Sequence, residues 1–372
     1  MTLARPITLH LPPRIEIGAG SVARVGEWAG DAARILVLAS PHTAGFVDRL
    51  ALPGAVTVFD AIPGEPEIAT LDAALEAARA AQPDLVVGLG GGSVLDLAKL
   101  VAAMWDGDQA LSDVAGPNRV AGRRTRLAQV ATTAGTGSEA GIRALITDPG
   151  NGAKIAVESP HLLADLAVLD PELTFSVPPA VTAATGIDAM AHCVEAFTSR
   201  RAHPVIDGFA RMGIDLVGRY LARAVADGTD TEAREGMMLA SFYGGICLGP
   251  VNTAAGHALA YPLGTLLHLP HGLANAIIFP HVLAFNQSAV PEKTAEVAAA
   301  LGLDLGGAND LQSGAHRFCR DLGVEMRLSA HGATDAQLSR FAADAHGIRR
   351  LMDNNPRDMT VAEVEAIYRA AF

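Results

Sequence analysis

A net charge of −12 over 372 residues argues against a nucleic-acid-binding protein, because contact with phosphates requires a basic surface. Half of the residues are hydrophobic and 18% are charged, which is typical of a globular protein and excludes a disordered one. The densest basic stretch, Arg119–Arg126, contains glycine and is interpreted as a solvated loop. The length predicts two domains rather than one.

Cysteine content and apolar runs indicate the compartment. Cys193, Cys247 and Cys319 are widely spaced, which argues against a disulfide framework or a thiolate zinc site and is typical of a reducing cytoplasm. The N-terminal stretch lacks the apolar core of a signal peptide, and no uninterrupted apolar run is long enough to predict a membrane span. We therefore expect a cytoplasmic protein without membrane contact.

The first half of the chain alternates between strand and helix patterns. Continuous apolar runs predict strands at Arg34–Ser40, Ala55–Asp60, Asp84–Gly90 and Arg126–Thr132. Apolar residues at helical spacing follow the second of these runs, and another helix is expected to open at Ser93. This order predicts a parallel sheet covered by helices on both faces.

The second half reads differently. From Val181 onwards the apolar residues recur at a spacing near 3.6, and clear strand patterns are missing. We place the boundary at Pro178–Pro179 and predict an α/β dinucleotide-binding domain over residues 1–179. Residues 180–372 are predicted to form a helical metal-binding domain, and the active site is expected in the cleft between the two.

A glycine cluster marks one strand-to-helix junction. Gly90, Gly91 and Gly92 would let the backbone approach a ligand closely, and the N–H groups of the following helix favour an anion. Ser93 is placed to cap that helix. The cluster is only a loose version of the dinucleotide-binding fingerprint, so a plain tight turn and a diphosphate site both remain open.

A second small-residue stretch, "ATTAGTGSEA", follows the next predicted strand. Ligands of parallel sheets bind beyond the carboxyl ends of the strands, which is where this stretch would lie. Its hydroxyl side chains are suited to hydrogen bonding with a cofactor. They belong to Thr132, Thr133, Thr136 and Ser138.

Asp188 and His192 lie four residues apart in a helical pattern, which places both side chains on one helix face. They form either a simple hydrogen bond or half of a metal site. His257 and His271 are two further candidate ligands, and a carboxylate with three imidazoles suits Fe²⁺ or Zn²⁺. The neighbouring His268 and His281 are interpreted as structural or surface histidines.

Four segments, taken together, resemble the motifs of the iron-containing (group III) alcohol dehydrogenases. They are Gly90–Lys99, Thr132–Glu139, Gly186–Glu195 and His257–His281. The resemblance implies a nucleotide-binding α/β domain followed by a helical domain, as in the dehydroquinate synthase-like superfamily. It also implies an NAD- or NADP-linked alcohol dehydrogenase or carbonyl reductase for a small substrate, and a homodimer or larger oligomer.

The same resemblance implies roles for individual residues. The metal ligands map onto Asp188, His192, His257 and His271, and the cofactor diphosphate onto the glycine cluster. Asp96 maps near the phosphate or nicotinamide end of the cofactor.

Three positions depart from the family pattern. Ser40 stands where many relatives carry the aspartate that selects NAD, so NADP becomes plausible. Tyr261 stands where many relatives carry a histidine that relays protons. The relay would then pass through Tyr261 or through water. Arg143 is either half of a salt bridge or a clamp for an anionic substrate.

Three other functions share parts of this sequence pattern. A maleylacetate reductase is the main alternative, which "LASP" at Ser40 favours and the intact Asp188 disfavours. A dehydroquinate synthase-like lyase and a non-catalytic nucleotide-binding protein are more remote alternatives.

Overall fold

The structure, a computed structural model, describes residues 5–150, 152, 154–304 and 308–372. The chain divides into two compact units between Ser176 and Val177. We call residues 9–176 the α/β unit, and residues 177–372 with residues 5–8 the helical unit. Residues 5–8 group with the helical unit because Arg5 donates to the backbone carbonyls of Arg201 and Pro250.

The α/β unit is built around a six-stranded sheet in which every paired strand is parallel. The strand order is β1-β9-β6-β4-β2-β3, and β5, β8 and β7 form a second, small sheet. The strands are β1 (Ile15–Ile17), β2 (Arg34–Ala39), β3 (Ala55–Phe59), β4 (Leu85–Gly90), β5 (Gly116–Pro117), β6 (Arg126–Ala131), β7 (Arg143–Thr147), β8 (Lys154–Glu158) and β9 (Leu166–Leu169). The α-helices of this unit are α1 (Arg24–Ala29), α2 (Ile68–Ala81), α3 (Gly92–Met104) and α4 (Leu111–Val114).

The central strands are apolar throughout because both faces of the sheet are covered. Every residue of β4 is buried, and alternate residues enter two different cores. Val86 belongs to the core that includes α2 and α3, whereas Val87 belongs to the core that includes α1. The carboxyl ends of β2, β4 and β6 meet at one edge of the sheet, which places the glycine cluster and the stretch "ATTAGTGSEA" side by side.

The helical unit contains no strand within its described residues. Its helices are α5 (Pro179–Thr198), α6 (Pro204–Ala226), α7 (Thr231–Leu248), α8 (Ala255–Leu267), α9 (His271–Asn286), α10 (Pro291–Leu301), α11 (Ala308–Asp321), α12 (Asp335–Gly347), α13 (Arg349–Met352) and α14 (Val361–Ala371). The predicted class, an α/β domain followed by a helical domain, is confirmed. Among these helices none combines the length and the hydropathy that a membrane span requires.

The helix α5 occupies the centre of the helical unit. Fifteen of its residues are buried, including the polar residues Asp188, His192 and Glu195. Burial of polar groups costs free energy unless they find partners, so these residues indicate a specialised site. The helices α6, α7 and α9 pack around α5 and enclose it.

Candidate metal centre and cofactor site

Three helices bring four potential ligands together within the helical unit. Asp188 and His192 lie one turn apart on α5, His257 is on α8, and His271 begins α9. One ligand atom from each residue lies within 4.8 Å of all the others. The four ligands predicted from the sequence are therefore neighbours in space.

The spacing of these atoms fits a single divalent metal ion. Asp188 Oδ1 lies 3.9 Å from His192 Nε2, 3.5 Å from His257 Nε2 and 3.6 Å from His271 Nε2. Four ligands bound tetrahedrally at about 2.1 Å would be separated by roughly 3.4 Å. An aspartate and three imidazoles are a donor set for Fe²⁺ or Zn²⁺.

One ligand is more accessible than the rest. The side chains of His192, Asp188 and His257 are 6%, 4% and 3% exposed, whereas that of His271 is 36% exposed. A small molecule therefore reaches the ligand cluster from the side on which His271 lies.

Glu195 orients His257. Its Oε1 lies 2.6 Å from His257 Nδ1, and its Oε2 accepts hydrogen bonds from the backbone N–H groups of Ala254 and His257. A proton on Nδ1 leaves Nε2 with its lone pair directed at the cluster. The same carboxylate satisfies N–H groups at the start of α8, so one side chain fixes both the helix and its ligand.

The close approach of Glu195 depends on a glycine. A Cβ atom at position 256 would lie 2.6 Å from Glu195 Oε1, which is closer than real Cβ contacts allow. Gly256 is therefore required for the hydrogen bond between Glu195 and His257 rather than for a special backbone conformation.

Asn275 supports the same cluster from α9. Its Nδ2 donates a hydrogen bond of 2.7 Å to Asp188 Oδ1 and lies 3.3 Å from His257 Nε2 and 3.2 Å from His271 Nε2. The amide therefore orients the carboxylate and lies beside two of the imidazoles. Asn275 and Glu195 are functional candidates that the sequence interpretation missed, although both lie within the quoted motifs.

Burial and neighbouring charges shift the titration of the ligands. Burial lowers the pKa of His192 to about 4, which keeps its imidazole neutral at physiological pH. Burial would raise the pKa of Asp188, but the surrounding histidines hold it below its usual range. Burial also opposes protonation of His257, but Glu195 and Asp188 raise its pKa to about 10. A metal ion must therefore displace a proton from His257.

The predicted cofactor segments lie side by side in the α/β unit. The glycine cluster joins β4 to α3, and "TTAGTGS" follows β6, the neighbouring strand. A Cβ atom at Gly92 would lie 2.6 Å from Thr136 Cγ2, so the two segments pack without room for a larger residue. Thr133 lies against Gly91, and Thr132 N donates to Gly90 O over 3.0 Å.

The prediction that Ser93 caps the helix α3 is wrong. The helix α3 begins at Gly92, its N-cap is Gly91, and no side chain accepts from its first turn. Ser93 lies inside the helix and its hydroxyl donates to Gly64 O instead. Val94 N donates to Gly91 O, whereas no side chain of the described residues accepts from Gly92 N or Ser93 N, which suits an anion site at this helix start.

Asp96 and Ser138 contact each other. Ser138 Oγ donates to Asp96 Oδ1 over 2.5 Å, and Leu145 N donates to Asp96 Oδ2 over 2.9 Å. Lys99 is completely buried and donates to Ser138 O, Ser138 Oγ and Arg143 O. These bonds hold the loop between β6 and β7 against α3.

Comparison with known proteins identifies the family. Residues 12–171 match the family model described as iron-containing alcohol dehydrogenase. Residues 182–372 match the model described as Fe-containing alcohol dehydrogenase family, C-terminal. The chain belongs to the iron-containing alcohol dehydrogenase family. The metal-dependent, NAD(P)-linked alcohol dehydrogenase or carbonyl reductase activity expected from the sequence is confirmed at the level of this family.

Individual relatives can be aligned with this chain over nearly its whole length. A long-chain-alcohol dehydrogenase of Geobacillus thermodenitrificans is 36% identical, with 100% of this chain and 98% of the relative aligned. The crystal structure of a 1,3-propanediol oxidoreductase is 31% identical and covers 99% of this chain and 100% of its own, with a TM-score of 0.94. That of a sulfoacetaldehyde reductase from Bifidobacterium kashiwanohense in complex with NAD⁺ is 28% identical, covers 99% of each chain and has a TM-score of 0.90.

Arg143 has a carboxylate partner. Its Nε and Nη2 lie 3.1 Å and 2.6 Å from Glu158 Oε2, its cross-strand neighbour between β7 and β8. This is the arrangement that the salt-bridge interpretation requires, and the pair carries no net charge.

The remaining candidate positions lie near their expected segments. Ser40 directly follows β2 and is hydrogen-bonded to Thr43. The ring of Tyr261 is stacked against that of His271, with 6.0 Å between centroids. His268 is exposed and ends α8 in a left-handed conformation, whereas His281 is buried and contacts Gln312. Neither of these two histidines belongs to the ligand cluster.

Proposed function

We propose that the chain interconverts a small alcohol and its aldehyde or ketone, with one divalent iron ion held by Asp188, His192, His257 and His271. The convergence of these four side chains carries the proposal. The metal ion would supply Lewis acidity toward the substrate oxygen, and the nicotinamide would carry the hydride. Maleylacetate reductases often depart from the ligand set, so the complete cluster favours the alcohol dehydrogenase branch.

The residues around the cluster would keep its ligands in the required protonation state and orientation. Glu195 would keep the proton of His257 on Nδ1. Asn275 would keep Oδ1 of Asp188 directed at the cluster. Water on the accessible side, next to His271 and Tyr261, would pass the proton of the substrate oxygen to solvent in place of the histidine that many relatives carry at position 261.

The glycine cluster and the threonine loop would bind the cofactor. The first-turn N–H groups of α3 would receive the diphosphate, with Thr133 and Thr136 packed beside them. Ser40 lies at the end of β2 and offers a hydroxyl where a carboxylate would repel a 2′-phosphate. We therefore expect NADPH to be accepted alongside NADH.

Metal depletion tests this function. Chelator-treated protein should lose its NADPH-dependent reduction of butanal, and anaerobic Fe²⁺ should restore it. Zn²⁺ serves as the comparison metal. Activity that is indifferent to the chelator, while metal analysis shows depleted protein, would refute the proposed role of the cluster.

The cellular setting stays a prediction. The three cysteines are free and buried, which supports a reducing compartment such as the cytoplasm. Light scattering of the purified protein would test the expected homodimer or larger oligomer.

A further inference from the structure

On the accessible side of the metal centre, an aromatic side chain lies against one of the metal ligands. His271 is the exposed ligand, and the ring of Tyr261 lies against it with an interplanar angle of 30°. Tyr261 follows His257 by one turn of α8, so the helix that supplies a buried ligand also supplies this neighbour. A substrate that approaches from this side passes Tyr261.

A guanidinium group lies on the tyrosine. Arg350, from the short helix α13, has its Cζ 5.6 Å from the centroid of the Tyr261 ring. Its Nη2 lies 3.4 Å from the Tyr261 hydroxyl. The contact is weak for a hydrogen bond, so most of the donors of this guanidinium remain available to another group.

The charge of Arg350 is uncompensated within the part of the chain that the structure describes. No carboxylate of those residues lies within 4.0 Å of its guanidinium, whereas the adjacent Arg349 pairs with Asp353. Arg143, the other candidate cation, is neutralised by Glu158. Arg350 is therefore a cation with open donors next to the exposed metal ligand.

We propose that Arg350, with the Tyr261 hydroxyl, binds an anionic group on the carbonyl substrate. The inference rests on the proposed function and narrows it to aldehydes that carry a carboxylate, sulfonate or phosphonate a few atoms from the carbonyl. A planar guanidinium matches the paired oxygens of these groups, and a phenol adds a further donor. The carbonyl lies at the metal centre while the anionic end lies on Arg350.

The test compares two aldehydes of equal chain length, succinate semialdehyde and butanal, with Fe²⁺-loaded protein. The wild type should have a higher kcat/KM for the anionic aldehyde. Arg350→Met should lower the ratio of the two kcat/KM values by about 10- to 100-fold, mainly through KM for the anion. Arg350→Lys should have an intermediate effect because it retains the charge but not the fork.

Two other arginines provide controls, Arg349 next to Arg350 in the sequence and Arg143 in the α/β unit. Arg349→Met removes an adjacent exposed cation and should leave the ratio unchanged. Arg143→Met tests the earlier clamp hypothesis and should change the ratio less than Arg350→Met. A wild type that prefers butanal, or a ratio that Arg350→Met does not alter, overturns the inference. Failure of wild-type protein to reduce either aldehyde would instead refute the proposed function, on which the inference depends.

Discussion

The cofactor segments and the metal cluster are built in different ways. The glycine cluster and the threonine loop offer backbone N–H groups and small hydroxyl side chains at the edge of a sheet. The metal cluster consists of ionisable side chains that are mostly buried, and two of them, His257 and Asp188, are oriented by hydrogen bonds with Glu195 and Asn275. A backbone site tolerates changes that preserve its shape, whereas a cluster of buried charges depends on every partner. Substitutions in the two regions should therefore have different consequences.

The largest effect is expected at Asp188. Replacing it with asparagine removes the negative ligand from a buried site, and activity should fall by roughly 1,000-fold or more. Metal content and kcat would be measured together, with circular dichroism to verify folding. His268→Gln is the control because that histidine is exposed and lies between the ligands His257 and His271 in the sequence, outside the cluster. Near-normal metal content in Asp188→Asn would contradict the assignment.

A smaller effect is expected at Glu195. Glu195→Gln keeps the shape but removes the charge that orients His257, so the affinity for Fe²⁺ should fall by about 10- to 100-fold. Competition with a chelator gives this affinity independently of activity. Gly256→Ala should reproduce the loss because its methyl group would displace the carboxylate. If the double variant is no weaker than either single variant, both act through one contact.

The α/β unit should respond in selectivity rather than in metal binding. Ser40→Asp places a carboxylate at the end of β2, and repulsion should lower kcat/KM for NADPH by about 10- to 100-fold. The value for NADH should change much less. Ser40→Asn controls for size without charge. An equal loss with both cofactors would show that position 40 does not face the 2′-phosphate.

The smallest effect concerns the charges behind the threonine loop. Burial raises the pKa of Glu139 to about 7, although Lys99 opposes the shift. Between the ordinary pKa of a glutamate and this raised value, Glu139 is protonated in the folded protein and ionised in the unfolded chain. The free energy of unfolding should therefore fall as the pH rises to about 7. Glu139→Gln should therefore raise the free energy of unfolding at pH 8 by about 1–3 kcal/mol. Denaturant curves at pH 5 and pH 8 would check this, and equal curves for both proteins at both values would contradict it.

Sequence patterns predicted the parts of the fold that have strong periodicity. The apolar runs at β2, β4 and β6 are continuous, and apolar residues recur every three to four positions in the helices of the second half. The strands β8 and β9 were not predicted because no α-helix lies between them, so they lack the alternation of strand and helix patterns that indicated the central strands.

The site was predictable where residue type alone specifies chemistry. Asp188 and His192 show their common helix face in the sequence, because their spacing is local. Glu195 and His257 are 62 residues apart, and Asn275 and Asp188 are 87 apart, so their contacts depend on how the helices pack. Arg143 and Arg350 illustrate the same limit. Only the structure shows that Arg143 has a carboxylate partner on the neighbouring strand, whereas Arg350 lies on the ring of Tyr261.

The measurement that tests the central claim most directly is an anaerobic titration of metal-free protein with Fe²⁺ in the absence of any nicotinamide cofactor. All four ligands and both supporting residues belong to the helical unit, so the site should bind without help from the cofactor. We predict a sharp end point at one Fe²⁺ per chain, which Asp188→Asn abolishes. The absence of an end point in the wild type, or an equal end point in the variant, would contradict the account.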